Sequence, residues 1–171
     1  MQMIITCRCC KVKPKIYVVA FAPSSPHRLV DLAKAAYSFD FVDSFITVRP
    51  MGLAAQSGVP EVFKIAYKCG KSFLILANLR ELKEILNIDM LIFILQNRKE
   101  VQDISNVIGN AIVSSIAIIV QTGETAISKD DLSLGVAARI SEMNNLFSPN
   151  PVAEVTAALL KLLRMLFNSR G

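Results

Sequence analysis

The sequence contains no tryptophan and one histidine, His27, among its 171 residues. A catalytic Ser-His-Asp arrangement or a histidine-based metal site would therefore depend on a single side chain. A histidine at the start of a helix is more often a solvated or capping residue, so we predict no metal site. Phenylalanine and tyrosine lie mainly inside apolar runs. The pattern therefore indicates no aromatic platform on which nucleobases could stack.

The common nucleotide-binding signatures are also missing. There is no Walker-type lysine loop, and no Gly-x-Gly-x-x-Gly follows the first predicted strand. Glu81 and Lys83 could form half of a nuclease carboxylate-lysine motif, but they fall on the polar side of an amphipathic helix. Asp130 and Asp131 follow a helix cap, where the helix dipole favours negative charge. The sequence shows no carboxylate cluster typical of nuclease chemistry.

The four cysteines do not have the spacing of a zinc site. Cys7, Cys9 and Cys10 crowd together, and Cys69 stands alone, so no second pair completes a metal cage. We interpret residues 1–15 as a flexible N-terminal tail, and Met3 or a later residue is a candidate for the natural start. Residues 16–171 are predicted to form one domain. In a reducing cytosol the thiols are expected to be free.

Charged residues are scarce, at 19%, whereas hydrophobic residues make up 53% of the chain. A sheet that is covered by helices on both faces has strands that are apolar throughout, and this explains such a composition. Residues 104–123 carry no charge, which is about the length of one membrane crossing. Polar residues interrupt this segment, so a buried strand is the preferred interpretation. We expect no membrane span and a cytoplasmic location.

Apolar runs alternate regularly with segments of helical periodicity. Strands are predicted at 16–21, 42–48, 72–77, 90–95, 114–121 and 136–140. One helix is predicted from Ser25-Pro26 to Tyr37, and a second begins after a Gly58-Val59-Pro60 turn and ends at Gly70. Further helices are predicted over 78–86, 101–108, 128–134 and 151–167. This alternation is typical of βαβ units and a mostly parallel sheet. Because ligands bind outside the carboxyl ends of such strands, we expect loops 96–99, 122–128 and 141–150 to converge on one site, near loop 22–28.

Three segments, in the same order, resemble the conserved motifs of the SPOUT (SpoU-like) RNA methyltransferases. The first covers residues 25–39, where Arg28, Val30 and Lys34 stand at the family's Asn, Gly and Arg positions. The second covers residues 118–128 and resembles a strand followed by a Gly-x-Glu-x-Gly loop. Glu124 and Ser128 match it, whereas Thr122 and Ala126 replace the glycines and Gly123 is shifted by one.

The third segment is the most specific of the three. It covers residues 139–153, and Ile140, Ser148, Asn150 and Ala153 match the stretch that opens the family's last helix. Glu142 stands where the family has proline. The resemblance implies an α/β domain with a C-terminal trefoil knot, S-adenosylmethionine as cofactor, tRNA or rRNA as substrate, and a homodimer that buries part of the last helix. A net charge of +5 is compatible with an RNA partner.

The resemblance also implies which residues form the site. Lys34 and Arg28 are expected to face the methyl end of the cofactor and to contact the RNA, with Glu124 and Asn150 completing the catalytic group. The cofactor itself is expected to contact Gln96, Thr122, Gly123, Glu124, Ile140, Leu146 and Ser148. Two alternatives remain open at this point: an inactive SPOUT-like RNA-binding protein and a nuclease-type protein.

Overall fold

The computed structural model describes residues 13–109, 112–143 and 150–167. Strands and helices alternate along the chain. The strands are β1 (Lys15–Phe21), β2 (Val42–Val48), β3 (Ser72–Leu76), β4 (Met90–Ile94), β5 (Ser115–Gln121) and β6 (Val136–Ala138). The helices are α1 (Pro26–Tyr37), α2 (Val59–Cys69), α3 (Glu81–Glu84), α4 (Ile104–Gly109), α5 (Lys129–Leu132) and α6 (Pro151–Phe167). The predicted strands and the two longest helices are confirmed.

The six strands form one sheet in the order β3-β2-β1-β5-β4-β6, and every pair is parallel. The chain first adds β2 and β3 on one side of β1, and it then returns to place β4, β5 and β6 on the other side of β1. The strand order therefore reverses between β1 and β5, which is where α/β sheets commonly open a ligand crevice. The prediction of a mostly parallel sheet is confirmed.

Both faces of the sheet are covered, so the central strands are apolar on both sides. In β1, Ile16, Val18 and Ala20 pack into one core, whereas Val19 and Phe21 pack into the other. The first core is closed by α1, α2, α4 and α6, and the second by the short helices α3 and α5. This arrangement accounts for the high hydrophobic content. The charge-free segment divides into α4 and the buried strand β5, and no described helix is long and apolar enough to cross a membrane.

The predicted turn at Gly58-Val59-Pro60 was wrong, because these residues are helical. A π-helical turn, Ala54–Gly58, runs directly into α2, and the Val59 N–H donates to the Ala54 carbonyl oxygen. Pro60, the second residue of α2, has no N–H to continue the hydrogen bonding of the preceding turn, and proline is a common place for a helix to depart from regular α geometry. Gly58 serves a close approach, since a Cβ there would lie 3.0 Å from Pro26 Cα at the start of α1.

Helix α3 is shorter than the predicted 78–86, and Asn78 does not cap it. The Glu81 carboxylate accepts a hydrogen bond from the Ala77 N–H at 3.1 Å and another from Asn78 Nδ2 at 3.4 Å. Glu81 therefore organises the turn before the helix. Helix α4 begins at Ile104, because Asp103 Oδ1 accepts from the Ser105 N–H at 2.8 Å. Strand β1 begins at Lys15, within the predicted tail. The cysteines of that tail lie outside the described residues.

Candidate functional site

A cavity of about 510 Å³ opens at the carboxyl ends of the strands, beside the point where the strand order reverses. This volume suits a small organic ligand, for which protein pockets span roughly 300–1,000 Å³. Apolar walls come from Ile94, Leu95, Ile127 and Leu132, and polar groups from Gln96, Asn97 and Gln121. Loops 22–28, 96–99 and 122–128 all contribute residues. Loop 141–150 contributes none of the described lining residues, although Pro151, which follows it, does.

The loop after β5 is held tightly against the end of β1. The Thr122 hydroxyl and the Thr122 backbone N–H both donate to the Phe21 carbonyl oxygen, at 2.8 and 3.0 Å. A Cβ on Gly123 would lie 2.0 Å from the Ala22 carbonyl oxygen, so a side chain there requires the backbone to move. Thr122 is buried, and the hydrogen bond of its hydroxyl to Phe21 accommodates a threonine at a position where the SPOUT motif has glycine. Thr122 and Gly123 therefore fix one wall of the cavity.

The loops after β4 and β6 are joined by the side chain of Gln96. Its Nε2 donates to the Ile140 carbonyl oxygen at 3.1 Å, and its Oε1 accepts from the Ile140 N–H at 2.6 Å. Both residues are buried. The side chain of Gln96 therefore satisfies both backbone hydrogen-bonding groups of Ile140, which lies beyond the end of β6 and has no neighbouring strand among the described residues to do so.

Charge is distributed unevenly in the cavity. Arg28, in the first turn of α1, and Arg98, after β4, line it and are exposed. Glu154, in the first turn of α6, also lines it but is only 4% exposed. Burial raises the pKa of the Glu154 carboxyl to about 7. The wall thus carries a buried acid and two exposed guanidinium groups.

The residues predicted for the site are brought together in part. Arg28, Gln96, Thr122 and Gly123 line the cavity. Ile140 is buried and contacts the site through Gln96. Leu146 and Ser148 lie outside the described residues.

Three other predicted residues do not line the cavity. Lys34 is exposed in the last turn of α1, and the six residues that separate it from Arg28 correspond to about 9 Å of helical rise. Glu124 is exposed beside the lining residue Gly123. Asn150 caps α6, since its Oδ1 accepts from the N–H groups of Val152 and Ala153 at 3.1 and 3.3 Å. The catalytic roles of these residues stay predictions.

Glu154 and Arg98 were not identified from the sequence. A signal for Glu154 was present, because it precedes Val155 and stands four residues before Ala158, and both are fully buried positions of α6. An acidic residue at the edge of an apolar helical stripe is ordinarily read as solvated. Its burial depends on the loops that are brought over it by the tertiary fold.

A cluster of charged residues joins the start of α4 and the loop after β6 to α6. Lys161 Nζ lies 2.7 Å from Asp103 Oδ2 and 2.6 Å from Glu142 Oε2. Ser141 donates to Asp103 through its backbone N–H, at 2.8 Å, and through its hydroxyl. Burial alone would raise the pKa of Asp103, but the hydrogen bonds from Lys161, Ser141 and Ser105 outweigh it and hold the pKa well below its usual range. Hydrogen bonding to Lys161 likewise lowers the pKa of Glu142.

The described residues contain no group of three or more His, Cys, Asp or Glu side chains placed to hold a metal ion. In the Asp103–Glu142 pair, the ammonium of Lys161 occupies the space between the carboxylates. Asp131 caps α5 together with Ser128, whose Oγ accepts from the Asp131 N–H at 3.0 Å. Both Asp130 and Asp131 lie in the first turn of α5, where they were predicted.

One exposed surface was not indicated by the sequence pattern. On α2, Phe63 and Tyr67 are 56% and 87% exposed, and they lie beside Lys64 and Lys68. The Phe63 ring packs edge-on against Phe73, with centroids 5.6 Å apart. We call these four residues the α2 surface.

Comparison with known proteins gives two different results. A family model described as RecB-family nuclease (DUF2122) matches residues 52–161. A protein of Aeropyrum pernix, named as a candidate type II restriction enzyme, is 28% identical over 152 residues, which cover 86% of this chain and 92% of that protein. A similarly named protein of Methanocaldococcus jannaschii is 25% identical over 128 residues, which cover 75% of this chain and 85% of that protein.

Several solved structures with a similar fold are described as methyltransferases. A methyltransferase candidate from Bordetella pertussis superposes with a TM-score of 0.67 at 15% identity, over 92% of this chain and 97% of that one. The SpoU methyltransferase AviRb from Streptomyces viridochromogenes, in complex with AdoMet, superposes with a TM-score of 0.66 at 13% identity, over 89% of this chain and 60% of that one. An AdoMet-bound rRNA methyltransferase from Sinorhizobium meliloti superposes with a TM-score of 0.65 at 13% identity, over 91% of this chain and 58% of that one. At these identities the likeness shows the fold, and it confirms the predicted SPOUT-like fold class.

Proposed function

The chain belongs to the family described as RecB-family nuclease (DUF2122), and we propose that it acts as an S-adenosylmethionine-dependent RNA methyltransferase. The cavity at the carboxyl edge of the sheet carries this proposal. It lies where parallel α/β sheets bind ligands, and the fold is shared with AdoMet-bound structures. The order of the three sequence motifs supports the same conclusion.

The residues of the cavity fit the chemistry of S-adenosylmethionine. Ile94, Leu95, Ile127 and Leu132 provide apolar surface for an adenine ring, and Gln96, Asn97 and Gln121 provide hydrogen-bonding groups. Arg98 suits the carboxylate of the cofactor, and Glu154 suits its positive charge. These residues would hold the cofactor, which supplies an electrophilic methyl group when bound.

The protein is then required mainly to orient the acceptor, since holding two reactants in line can supply most of the rate enhancement. Arg28 is the predicted catalytic side chain that lines the cavity, and its charge suits an RNA phosphate close to the acceptor. Thr122 and Gln96 keep the two cavity walls in place through their hydrogen bonds to Phe21 and Ile140.

RNA is the acceptor that the surface favours. The chain carries a net charge of +5, and two arginines stand exposed at the cavity. The α2 surface combines two exposed aromatic rings with two lysines, the combination by which single-stranded nucleic acid is bound through stacking and phosphate contacts. Tyr67 is 87% exposed, so its ring is accessible to a base.

Calorimetric titration with S-adenosylmethionine tests the cofactor part of the proposal. We expect the wild-type protein to bind, and Ala126→Trp to bind at least about tenfold more weakly, because the indole would fill the cavity that Ala126 lines. Thr125→Trp is the matched control, since Thr125 is exposed next to Ala126 but does not line the cavity. Absence of binding by the wild-type protein would overturn the proposal.

Methyl transfer to RNA is tested separately, with labelled cofactor and with bulk tRNA, rRNA, DNA and protein offered in parallel. We expect label in RNA only. The double variant Phe63→Ser/Tyr67→Ser should bind single-stranded RNA at least about tenfold more weakly, since stacking contributes about 1–3 kcal/mol per base. Ile85→Ser, another exposed apolar residue, should leave RNA affinity unchanged. Transfer to DNA instead, or unchanged RNA affinity in the double variant, would contradict the RNA assignment.

The family description and the names of the two relatives favour a second candidate function, phosphodiester cleavage. Nuclease chemistry uses carboxylates that hold divalent metal ions, and Asp103, Glu142 and Lys161 are the described residues that come nearest to such a set. Incubation of supercoiled plasmid and RNA with the protein and Mg²⁺ tests this function. Cleavage that is lost in Asp103→Asn, without binding of S-adenosylmethionine, would favour the nuclease over the methyltransferase.

A further inference from the structure

Glu154 is the acidic side chain on the cavity wall and is nearly inaccessible to water, at 4% exposure. It is held in the first turn of α6, where its backbone N–H donates to the Asn150 carbonyl oxygen at 2.9 Å. Within residues 13–109, 112–143 and 150–167, no ammonium or guanidinium group forms an ion pair with its carboxylate. A buried carboxylate without a counter-ion is costly unless a ligand supplies the positive charge.

The rest of the cavity has the opposite charge. The two arginines that line it, Arg28 and Arg98, are exposed, whereas Glu154 is buried. A ligand that carries a positive charge inside the cavity and a negative charge toward its exposed side would complement both. A neutral ligand of the same size would leave Glu154 without a partner.

We propose that Glu154 is the counter-ion for a positively charged group of the ligand, so that the cavity selects a cationic or zwitterionic small molecule over its neutral counterpart. The inference rests on the proposed function, in which the cation is the sulfonium of S-adenosylmethionine. The product of methyl transfer, S-adenosylhomocysteine, is neutral at sulfur. The counter-ion therefore favours retention of the cofactor and release of the product.

The protonation of Glu154 makes this role measurable. Burial raises the pKa of Glu154 to about 7, so without ligand the side chain is largely protonated below that pH. A cation next to the carboxylate lowers its pKa, so binding must release a proton at mildly acidic pH. Among the elements packed against α6, α4 and β5 carry no charged side chain. Helix α1, which also packs against α6, carries His27, Arg28, Asp31 and Lys34, and of these Arg28 lines the cavity together with Arg98.

Calorimetry with S-adenosylmethionine and S-adenosylhomocysteine at about pH 6 and about pH 8, in buffers of different ionisation enthalpy, tests the inference. For the wild-type protein we expect affinity for S-adenosylmethionine to rise up to about tenfold between these pH values, with proton release at the lower pH. Affinity for S-adenosylhomocysteine should change by less than about threefold, since it lacks the sulfonium charge.

Glu154→Gln preserves the shape of the side chain and removes the charge. It should bind S-adenosylmethionine at least about tenfold more weakly at the higher pH, without pH dependence, and should bind S-adenosylhomocysteine as the wild type does. Glu100→Gln is the control, because Glu100 is exposed and does not line the cavity. Thermal unfolding of each variant confirms that it is folded.

The outcomes separate the two proposals. If the wild-type protein binds neither compound, the proposed function falls and this role of Glu154 falls with it. If it binds both, and Glu154→Gln leaves their affinities and pH dependence unchanged, the counter-ion role alone is overturned. Weaker binding of both compounds to the same degree would also overturn it, because a merely structural role for Glu154 would affect them equally.

Discussion

Gly123 illustrates how a single residue sets the shape of the site. It does not have the left-handed backbone conformation that commonly requires glycine. Its requirement is steric instead, since the Ala22 carbonyl oxygen would lie 2.0 Å from a Cβ. The shifted glycine of the sequence motif is therefore where the loop after β5 touches the end of β1.

Gly123→Ala should destabilise the protein by about 3 kcal/mol, because overpacking against rigid backbone forces the loop to move. Chemical denaturation gives the free energy of unfolding. Gly109→Ala serves as the control, since the nearest atom to its added Cβ is the flexible Met165 Cε at 3.7 Å. It should be neutral or stabilising by up to about 1 kcal/mol, the helix propensity difference. Equal effects of the two substitutions would contradict the steric explanation.

Glu154 predicts an unusual pH dependence of stability. The pKa of Glu154 is raised to about 7 in the folded protein, so the folded state holds the proton more tightly than the unfolded state. Its stabilising contribution is complete below the unfolded pKa of about 4.3 and is lost as the pH rises through about 7. The contribution of Asp103 to stability depends on pH in the opposite direction. Because its pKa is lowered, Asp103 stabilises the folded state at every pH above the ordinary aspartate range.

Between about pH 5 and about pH 8 the contribution of Asp103 is therefore constant and that of Glu154 changes. The free energy of unfolding of the wild-type protein, relative to that of Glu154→Gln, should fall across this interval by on the order of 3 kcal/mol. Urea denaturation at several pH values provides the measurement. A difference that stays flat with pH would show that Glu154 ionises normally in the folded state.

At the scale of the elements, α6 combines a structural and a functional side. Val155, Leu159 and Leu162 are buried against the sheet, and Glu154 faces the cavity. Lys161 joins the helix to the loop after β6 through Asp103 and Glu142. The charged cluster therefore holds the end of the sheet against the helix that carries the buried acid.

Lys161→Met should cost about 2 kcal/mol at neutral pH, because it leaves Asp103, with a side chain 16% exposed, without its counter-ion. The loss should shrink below about pH 4, where Asp103 begins to lose the stabilisation that its lowered pKa provides. Lys64→Met breaks an exposed pair with Glu61, 69% and 51% exposed, and should cost less than about 0.5 kcal/mol. Thermal and urea unfolding compare the two. Similar losses in both variants would show that burial of the Lys161 pair contributes nothing.

At the scale of the whole molecule, the homodimer stays a prediction, and the structure narrows its surface. Four apolar positions of α6, Val155, Ala158, Leu159 and Leu162, are buried in the protein's own core, so a partner would contact the exposed side of the helix around Leu160, which is 42% exposed. We expect light scattering to show a dimer at micromolar concentration, and Leu160→Glu to shift it toward the monomer. Ile85→Glu, which places the same charge at an exposed position beyond α3, should leave the dimer intact. A monomeric wild-type protein would overturn this prediction.

Local patterns in the sequence were enough to predict the alternation of strands and helices, the parallel sheet and the sheet edge at which the candidate site lies. These follow from local periodicity, from caps such as Ser25 and Ser128, and from apolar runs such as β5, all of which act over short distances along the chain. Three features could be seen only in the folded protein: Glu154 is buried, Arg28 reaches the cavity while Lys34 does not, and Gln96 joins two loops across 44 positions of the chain. Burial, and with it the pKa of a carboxyl group, depends on segments far apart in the sequence that the fold brings together, and no local pattern records them.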